Sequence, residues 1–555
     1  MKKYIKWTAA AVTGLMMMTS CNSYLDLKPT SSLSDADIQA LLGSSDQTKV
    51  NLALSKIASR MDGWFRLIGG YNGFSGGLIN SADGQEILHE LSGNDIVYGE
   101  RPATMSGYDY TLYNLGTDNK PWLSANTDVN MAFWQLPASI PMGANKVMQY
   151  LTEELIATSP SPAVKNGRAM ALTVRALGYM MLMERYTPSY LNGGKEAFGM
   201  PLYTKYQVNA PATIATPTET YDFIKKDLKD AITLFSALDG NGYTAAKSDV
   251  DMGVAQFLLA RVSLLTGDYT TCISACQELL SHFTSFILEA NYGVKASNFD
   301  ALQAKTKEAK ASDNAFLCVA ANPECILGWV NGDGANTYYN SMFNPFLGAG
   351  SEGQPQFLRT DDYLYKQIDP RDFRKDNTML EAKNYTYPTY KGKTLTNTLQ
   401  TYTNIKWGAT IPIGYTARTG EKADCDLVRY RSSEVLLMLA EAQAMSGKGD
   451  DAKTTLNKLL AARTRGGATT MTCDNYSSMS GMSAINMVKL QWRIEMWGEN
   501  GLDYWNAKRW NAPIDRTKST LHWSDGKTLD VVNMTYGVPE VEYQRNPNWP
   551  TAAYK

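Results

Sequence analysis

Apolar residues in this chain recur in paired helical stripes joined by short glycine turns. Ala255, Leu258, Leu259, Val262 and Leu265 repeat every three or four residues. Gly267-Asp268 interrupts them, and Tyr269, Cys272, Ile273, Cys276, Leu279, Leu280 and Phe283 resume the same period. Such a pattern predicts a helix, a tight turn and an antiparallel helix. It returns after residue 431, with Val435, Met438, Leu439 and Ala442, then Gly447-Lys448-Gly449-Asp450, then Ala452, Leu456, Leu459 and Arg463.

Helix pairs of roughly 34 residues resemble tetratricopeptide units. One such hairpin cannot bury its apolar face alone, so the units must stack. The pairs at 252–283 and 431–465 are the clearest. Two fainter ones pair 34–61 with 131–157 and 166–187 with 217–238. In the latter, Thr216-Pro217-Thr218-Glu219 marks a helix start and Tyr221, Ile224, Leu228, Ala231, Phe235 and Leu238 form its stripe. Between the hairpins lie the stretches 62–130, 188–216, 284–430 and 511–555, rich in Gly, Asn, Thr and Tyr. Stretches this long are uncommon unless they are functional or internally structured. The expectation is one mostly α body in which helical hairpins frame a region of loops and short strands.

Composition narrows the function. Lys and Arg total 53 against 55 Asp and Glu, which removes the basic excess of a nucleic-acid binder. Three histidines, His89, His282 and His522, stand far apart, and no CxxC pair occurs, so a zinc centre has no support. The six cysteines beyond Cys21 are too few for a disulfide scaffold. Cys272 and Cys276 fall on an apolar stripe, and Cys318 with Cys325 is the pair best placed for a bridge. At the N-terminus, Lys2, Lys3 and Lys6 precede a short apolar run ending at Met18-Thr19-Ser20-Cys21. Residues 1–20 thus read as a signal peptide. Cys21 following small residues resembles a bacterial lipoprotein signal; the alternative is an ordinary secretory signal that happens to contain Cys21. No later stretch is long and apolar enough to span a bilayer.

Further motifs carry a family resemblance. Cys21-Asn22-Ser23-Tyr24-Leu25-Asp26-Leu27-Lys28-Pro29, Phe133-Trp134 with Asn145, Arg175-Ala176-Leu177-Gly178-Tyr179, and Pro217-Thr218-Glu219 through Asp227-Leu228-Lys229-Asp230-Ala231 occur in order. Asp369-Pro370-Arg371, Arg431 through Ala442, Ile494 through Glu499 with Lys508-Arg509-Trp510-Asn511, and Pro539-Glu540 with Asn546-Pro547-Asn548 follow. Together they resemble the SusD/RagB family of Bacteroidetes outer-membrane lipoproteins, with residues 21–555 as one SusD-like domain. The chain departs from the family pattern at Ala138, Pro141 and Leu172, at an apparent insertion, Asn500, and at Asp503 and Asn506. These changes bear on local ion pairs near 499–510. Arg431, Glu434, Glu441 and Glu495 read as buried pairs that fix packing.

The resemblance implies a lipid-anchored outer-membrane protein, exposed at the surface, that captures a glycan and delivers it to a SusC-like TonB-dependent transporter. It implies no cofactor, no metal and no catalysis. The residues agree: no Gly-x-Ser-x-Gly elbow, Walker loop or His-Glu-x-x-His is present. Asp361-Asp362, Asp369 and Asp372 read as a solvated turn. Sugar rings stack on Trp and Tyr and offer hydroxyls to Asn, Asp and Arg. The candidate ligand residues are Trp64, Asn94, Asp95, Tyr98, Arg101, Tyr108 and Trp122 in the first excursion. In the second they are Trp329, Asn331, Tyr338, Tyr339, Phe343 and Trp407. Trp492, Trp497, Trp505 and Trp510 read as core. Peptide capture by the same fold and a helical scaffold that binds only a protein partner remain as alternatives.

Overall fold

A computed structural model describes residues 35–58, 82–98, 124–159, 161–206, 211–299, 314–330, 358–388, 394–408, 426–522 and 528–554. Helices α1 (Asp35–Leu42), α2 (Gln47–Ala58) and α3 (Ala82–Ser92) come first. Next come α4 (Asp128–Met148), α5 (Glu153–Thr158), α6 (Pro162–Tyr186), α7 (Pro217–Ser236), α8 (Met252–Leu265) and α9 (Tyr269–His282). The last group is α10 (Asp362–Gln367), α11 (Ser432–Met445), α12 (Gly449–Ala462), α13 (Ala484–Glu495), α14 (Leu502–Arg509) and α15 (Glu540–Arg545).

Neighbouring helices pack in a continuous series: α4 on α6, α6 on α7, α7 on α8, α8 on α9, α9 on α11, and α11 on α12 and α13. Local chemistry sets the boundaries. Thr216 and Glu219 form a capping box at the start of α7, each side chain bonded to the other's backbone N–H. Gly267 takes φ +74° in the turn between α8 and α9, and the Asp268 side chain caps α9 by accepting from the Thr271 N–H at 3.2 Å.

The pairing of 34–61 with 131–157 requires correction. The described part of that first segment, residues 35–58, holds two helices, α1 and α2, packed on each other, and α4 packs on α6. The α4–α6 crossing explains two sequence oddities at once. Pro137 and Pro141 lie inside α4. A Cβ added to Gly178 on α6 would stand 2.5 Å from Pro141 Cδ, so the glycine makes room for the proline ring.

Among the described residues the strands form two-stranded antiparallel pairs. They are β1 (Ile96–Tyr98), β2 (Cys325–Trp329), β3 (Leu358–Thr360), β4 (Lys383–Pro388), β5 (Thr394–Leu399), β6 (Leu427–Arg431), β7 (Ile514–Asp515) and β8 (Thr528–Leu529). The pairs are β1–β3, β2–β6, β4–β5 and β7–β8. One apolar cluster runs through the helical series and includes Phe133, Tyr179, Phe257, Met438, Trp492 and Trp549. No described helix is long and apolar enough to cross a membrane.

The Cys318–Cys325 bridge does not form: both thiols are free. Cys325 is buried, and burial pushes its thiol up to about 12. Such a thiol is a poor nucleophile for disulfide exchange.

Candidate ligand face

Strands β1 and β3 hold the two excursions together. Ile96 pairs with Thr360, Val97 with Arg359 and Tyr98 with Leu358. The chain therefore leaves the end of β1 at the point where it enters β3, although these residues are far apart in sequence. The 62–130 and 284–430 stretches share this seam.

The base of the seam is a polar lattice. Asp95 is 2% exposed, and Arg493 Nε approaches its carboxylate at 3.0 Å. Burial raises the Asp95 carboxyl to about 8, with Arg493 pulling in the opposite direction. The Asp503 carboxylate accepts from the backbone N–H groups of Asn94 and Asp95, the latter at 3.0 Å. Trp497 Nε1 donates to the Asp95 carbonyl at 2.9 Å. Glu90 accepts from the N–H groups of Gly501 at 2.6 Å and Leu502 at 3.2 Å, at the start of α14. That position suits a carboxylate, because a helix N-terminus presents unpaired N–H groups. The departures at 500–506 thus serve the structure. Asn500 adopts φ +60° and donates to the Arg429 carbonyl at 2.6 Å, while Asp503 anchors β1.

A second lattice lies at the junction of β2, β6 and α13. Arg431 bonds Glu324 at 2.8 Å, Glu495 at 2.6 Å and Glu499 at 2.7 Å. Arg463 bonds Glu324 at 2.6 Å and Glu495 at 2.8 Å, and Arg374 bonds Asp372 at 2.5 Å and Glu495 at 2.8 Å. Lys406 completes the set on Glu499 at 2.5 Å. Four cations face four carboxylates, and all are buried. Burial alone would raise the Glu495 carboxyl; Arg463, Arg431 and Arg374 outweigh it and hold the group well below the usual carboxylate range. The lattice offers no free acid or base, and its geometry clamps three segments together. Sequence reasoning found Arg431 and Glu495 but missed Glu324, Arg374 and Lys406. The one available signal was Arg463, a charge on an apolar stripe.

Several candidate residues change role. Trp407 is 1% exposed, packed beside Phe316 at 5.4 Å between ring centroids, so it belongs to the core. Asp95 is committed to Arg493, and Asn94 Oδ1 accepts from the Asp515 N–H at 2.7 Å, so both support β1. Trp329 remains a candidate: it is half-buried at the end of β2, opposite Leu427. Tyr98 sits on β1 by its backbone pairing with Leu358. Trp64, Arg101, Tyr108, Trp122, Asn331, Tyr338, Tyr339 and Phe343, like Cys21, lie outside the described residues. The acids read as a solvated turn are also corrected. Asp361, Asp362, Asp369 and Asp372 are all buried. Asp361 caps α10, Asp362 accepts from Thr520, and Asp369 and Asp372 pair with Arg371 and Arg374.

Fold and site together define a helix-framed protein that carries two long excursions on a shared strand seam. The chain belongs to the SusD/RagB family. A model of the SusD family matches residues 286–555, and a SusD-like model described as starch-binding associating with the outer membrane matches residues 85–257. Association with the outer membrane comes with that membership. Solved structures share the fold. A SusD superfamily protein from Parabacteroides distasonis is 18% identical with a TM-score of 0.63, over 91% of this chain and 98% of that one. A SusD-like carbohydrate binding protein from Bacteroides vulgatus is 18% identical with a TM-score of 0.62, over 90% and 98%. A SusD superfamily protein from Bacteroides thetaiotaomicron is 17% identical with a TM-score of 0.62, over 89% and 98%. No curated protein matches the chain.

Proposed function

We propose that the protein captures an oligosaccharide or polysaccharide at the cell surface and passes it to a SusC-like TonB-dependent transporter, with no chemistry of its own. A lipid on Cys21 tethers it to the outer membrane. The β1–β3 seam carries this reading, because it joins the two aromatic-bearing excursions on one rigid base. Binding loops on a rigid scaffold are a common arrangement for recognition. Family membership and the likeness to a SusD-like carbohydrate binding protein from Bacteroides vulgatus support a glycan as cargo. The buried carboxylates of the seam are engaged with Arg493 and backbone N–H groups, which agrees with capture rather than hydrolysis.

The test uses the mature chain from Asn22 onward in native gels containing neutral polysaccharides. Retardation by at least one polymer is expected, and Trp329→Ala should weaken it at least fivefold, the loss of one stacked ring. Peptide pull-down without retardation would favour peptide capture. Neither response would favour a scaffold that binds only protein. Full retardation by Trp329→Ala and Trp122→Ala alike would move the site elsewhere.

A further inference from the structure

A groove of about 450 Å³ opens on the helical frame, and none of its lining residues belongs to either excursion. Its volume falls within the range of small-molecule sites. Ser236, at the end of α7, and Asn241 and Tyr243 in the turn that follows make one side. Met252, Gln256 and Leu259, successive residues on one face of α8, form the floor. Thr271, Ser274, Ala275 and Glu278 of α9 make the far wall.

The lining is selective in three respects. First, several polar side chains have no work inside the protein. Among the described residues, the Asn241 and Gln256 amides and the Ser274 hydroxyl make no side-chain hydrogen bond, and the buried Tyr243 hydroxyl has no partner. Second, the lining contains no Lys or Arg, and its one carboxylate, Glu278, is half-exposed at the rim, 3.4 Å from His282 Nε2. An anionic ligand would find no Lys or Arg here. Third, the aromatic wall is braced. The Tyr243 ring stacks on His282 at 3.8 Å and 26°. The rim is held in an uncommon shape: Gly240, Asn241 and Gly242 take φ of +64°, +53° and +74°. A non-glycine residue in that region costs energy, and such costs cluster at functional positions.

Free amides and hydroxyls above an apolar floor of Met252 and Leu259 match a ligand with hydroxyls on its rim and C–H groups on its face. We infer that this groove is a second saccharide site, which takes a short neutral sugar independently of the loop-borne face. An extended peptide fits less well, because no strand edge lines the groove to pair with its backbone.

The experiment is saturation-transfer difference NMR on the full mature chain with glucose, maltotriose, mannotriose and xylotriose at millimolar concentration. At least one sugar should receive saturation. Asn241→Gly relieves the left-handed backbone while it removes one amide, and Gln256→Leu removes the other. Together they should weaken binding about tenfold, the loss of two neutral hydrogen bonds. Ser274→Trp, at an exposed position, should fill the groove and remove this site's component of the signal, leaving only that of the loop face. Trp329→Ala should weaken only the component of the signal that Ser274→Trp spares, which separates this site from the loop face tested by gel retardation. Equal affinity in the double variant and in Ser274→Trp would overturn the inference. So would the absence of saturation from every sugar.

Discussion

Glu434 is buried on α11, and neither of its carboxylate oxygens has a hydrogen-bond partner; Arg261 approaches one of them at 3.7 Å. Burial raises its carboxyl to about 7, with Arg261 and Arg431 opposing and Glu499 reinforcing the shift. In the unfolded chain the same group ionises near pH 4.5. As pH rises from about 4.5 to 7 the unfolded state therefore releases its proton first, and Glu434 subtracts stability across that window. Glu434→Gln removes the effect. The variant's unfolding free energy relative to wild type should climb by roughly 3 kcal/mol between pH 4.5 and 7 and level off above it. Parallel curves in urea titrations over that range would contradict the assignment. Arg431 presents the opposite situation, a buried cation with every neighbour engaged. Arg431→Met leaves Glu324, Glu495 and Glu499 short of a partner and should cost about 3–5 kcal/mol in the same titrations at pH 7. A loss under 1 kcal/mol would show that the remaining cations compensate.

The hairpins of α8 with α9 and α11 with α12 could be read from spacing alone, because a glycine turn between two stripes leaves few other solutions. The same holds for the start of α7, where Thr216 and Glu219 bond as their spacing suggests. The partner of α4 could not be read. Its choice depends on close approach at Gly178 and Pro141, and neither residue is part of an apolar period. Gly178→Ala tests that crossing. The added methyl meets the proline ring and should destabilise the protein by about 1–3 kcal/mol, lowering the thermal midpoint. A gain in stability, the usual result of Gly→Ala in an open helix, would show that α4 and α6 can separate at no expense. The strands were equally hidden. Three residues at 96–98 pair with three at 358–360, too few to show a period of two. Asp95 and Trp407 were misread as ligand groups for a related reason: composition identifies polar and aromatic residues, while burial decides which of them face solvent.

At the scale of the whole molecule, the core and the two charge lattices fasten β1, β2, β3 and β6 to the helical series, and the excursions depart from those strands. The order of motifs made the family legible. The sequence could not reveal that the second excursion returns to pair with the first. This division of labour suits capture, with a fixed frame below and ring-bearing segments above. The most direct measurement combines affinity electrophoresis of the mature chain on neutral polysaccharides with chain-length analysis of the recovered polymer. Capture without turnover predicts retardation by at least one polysaccharide and an unaltered length distribution after prolonged incubation. Shortened polymer, or migration that no polysaccharide slows, would contradict it.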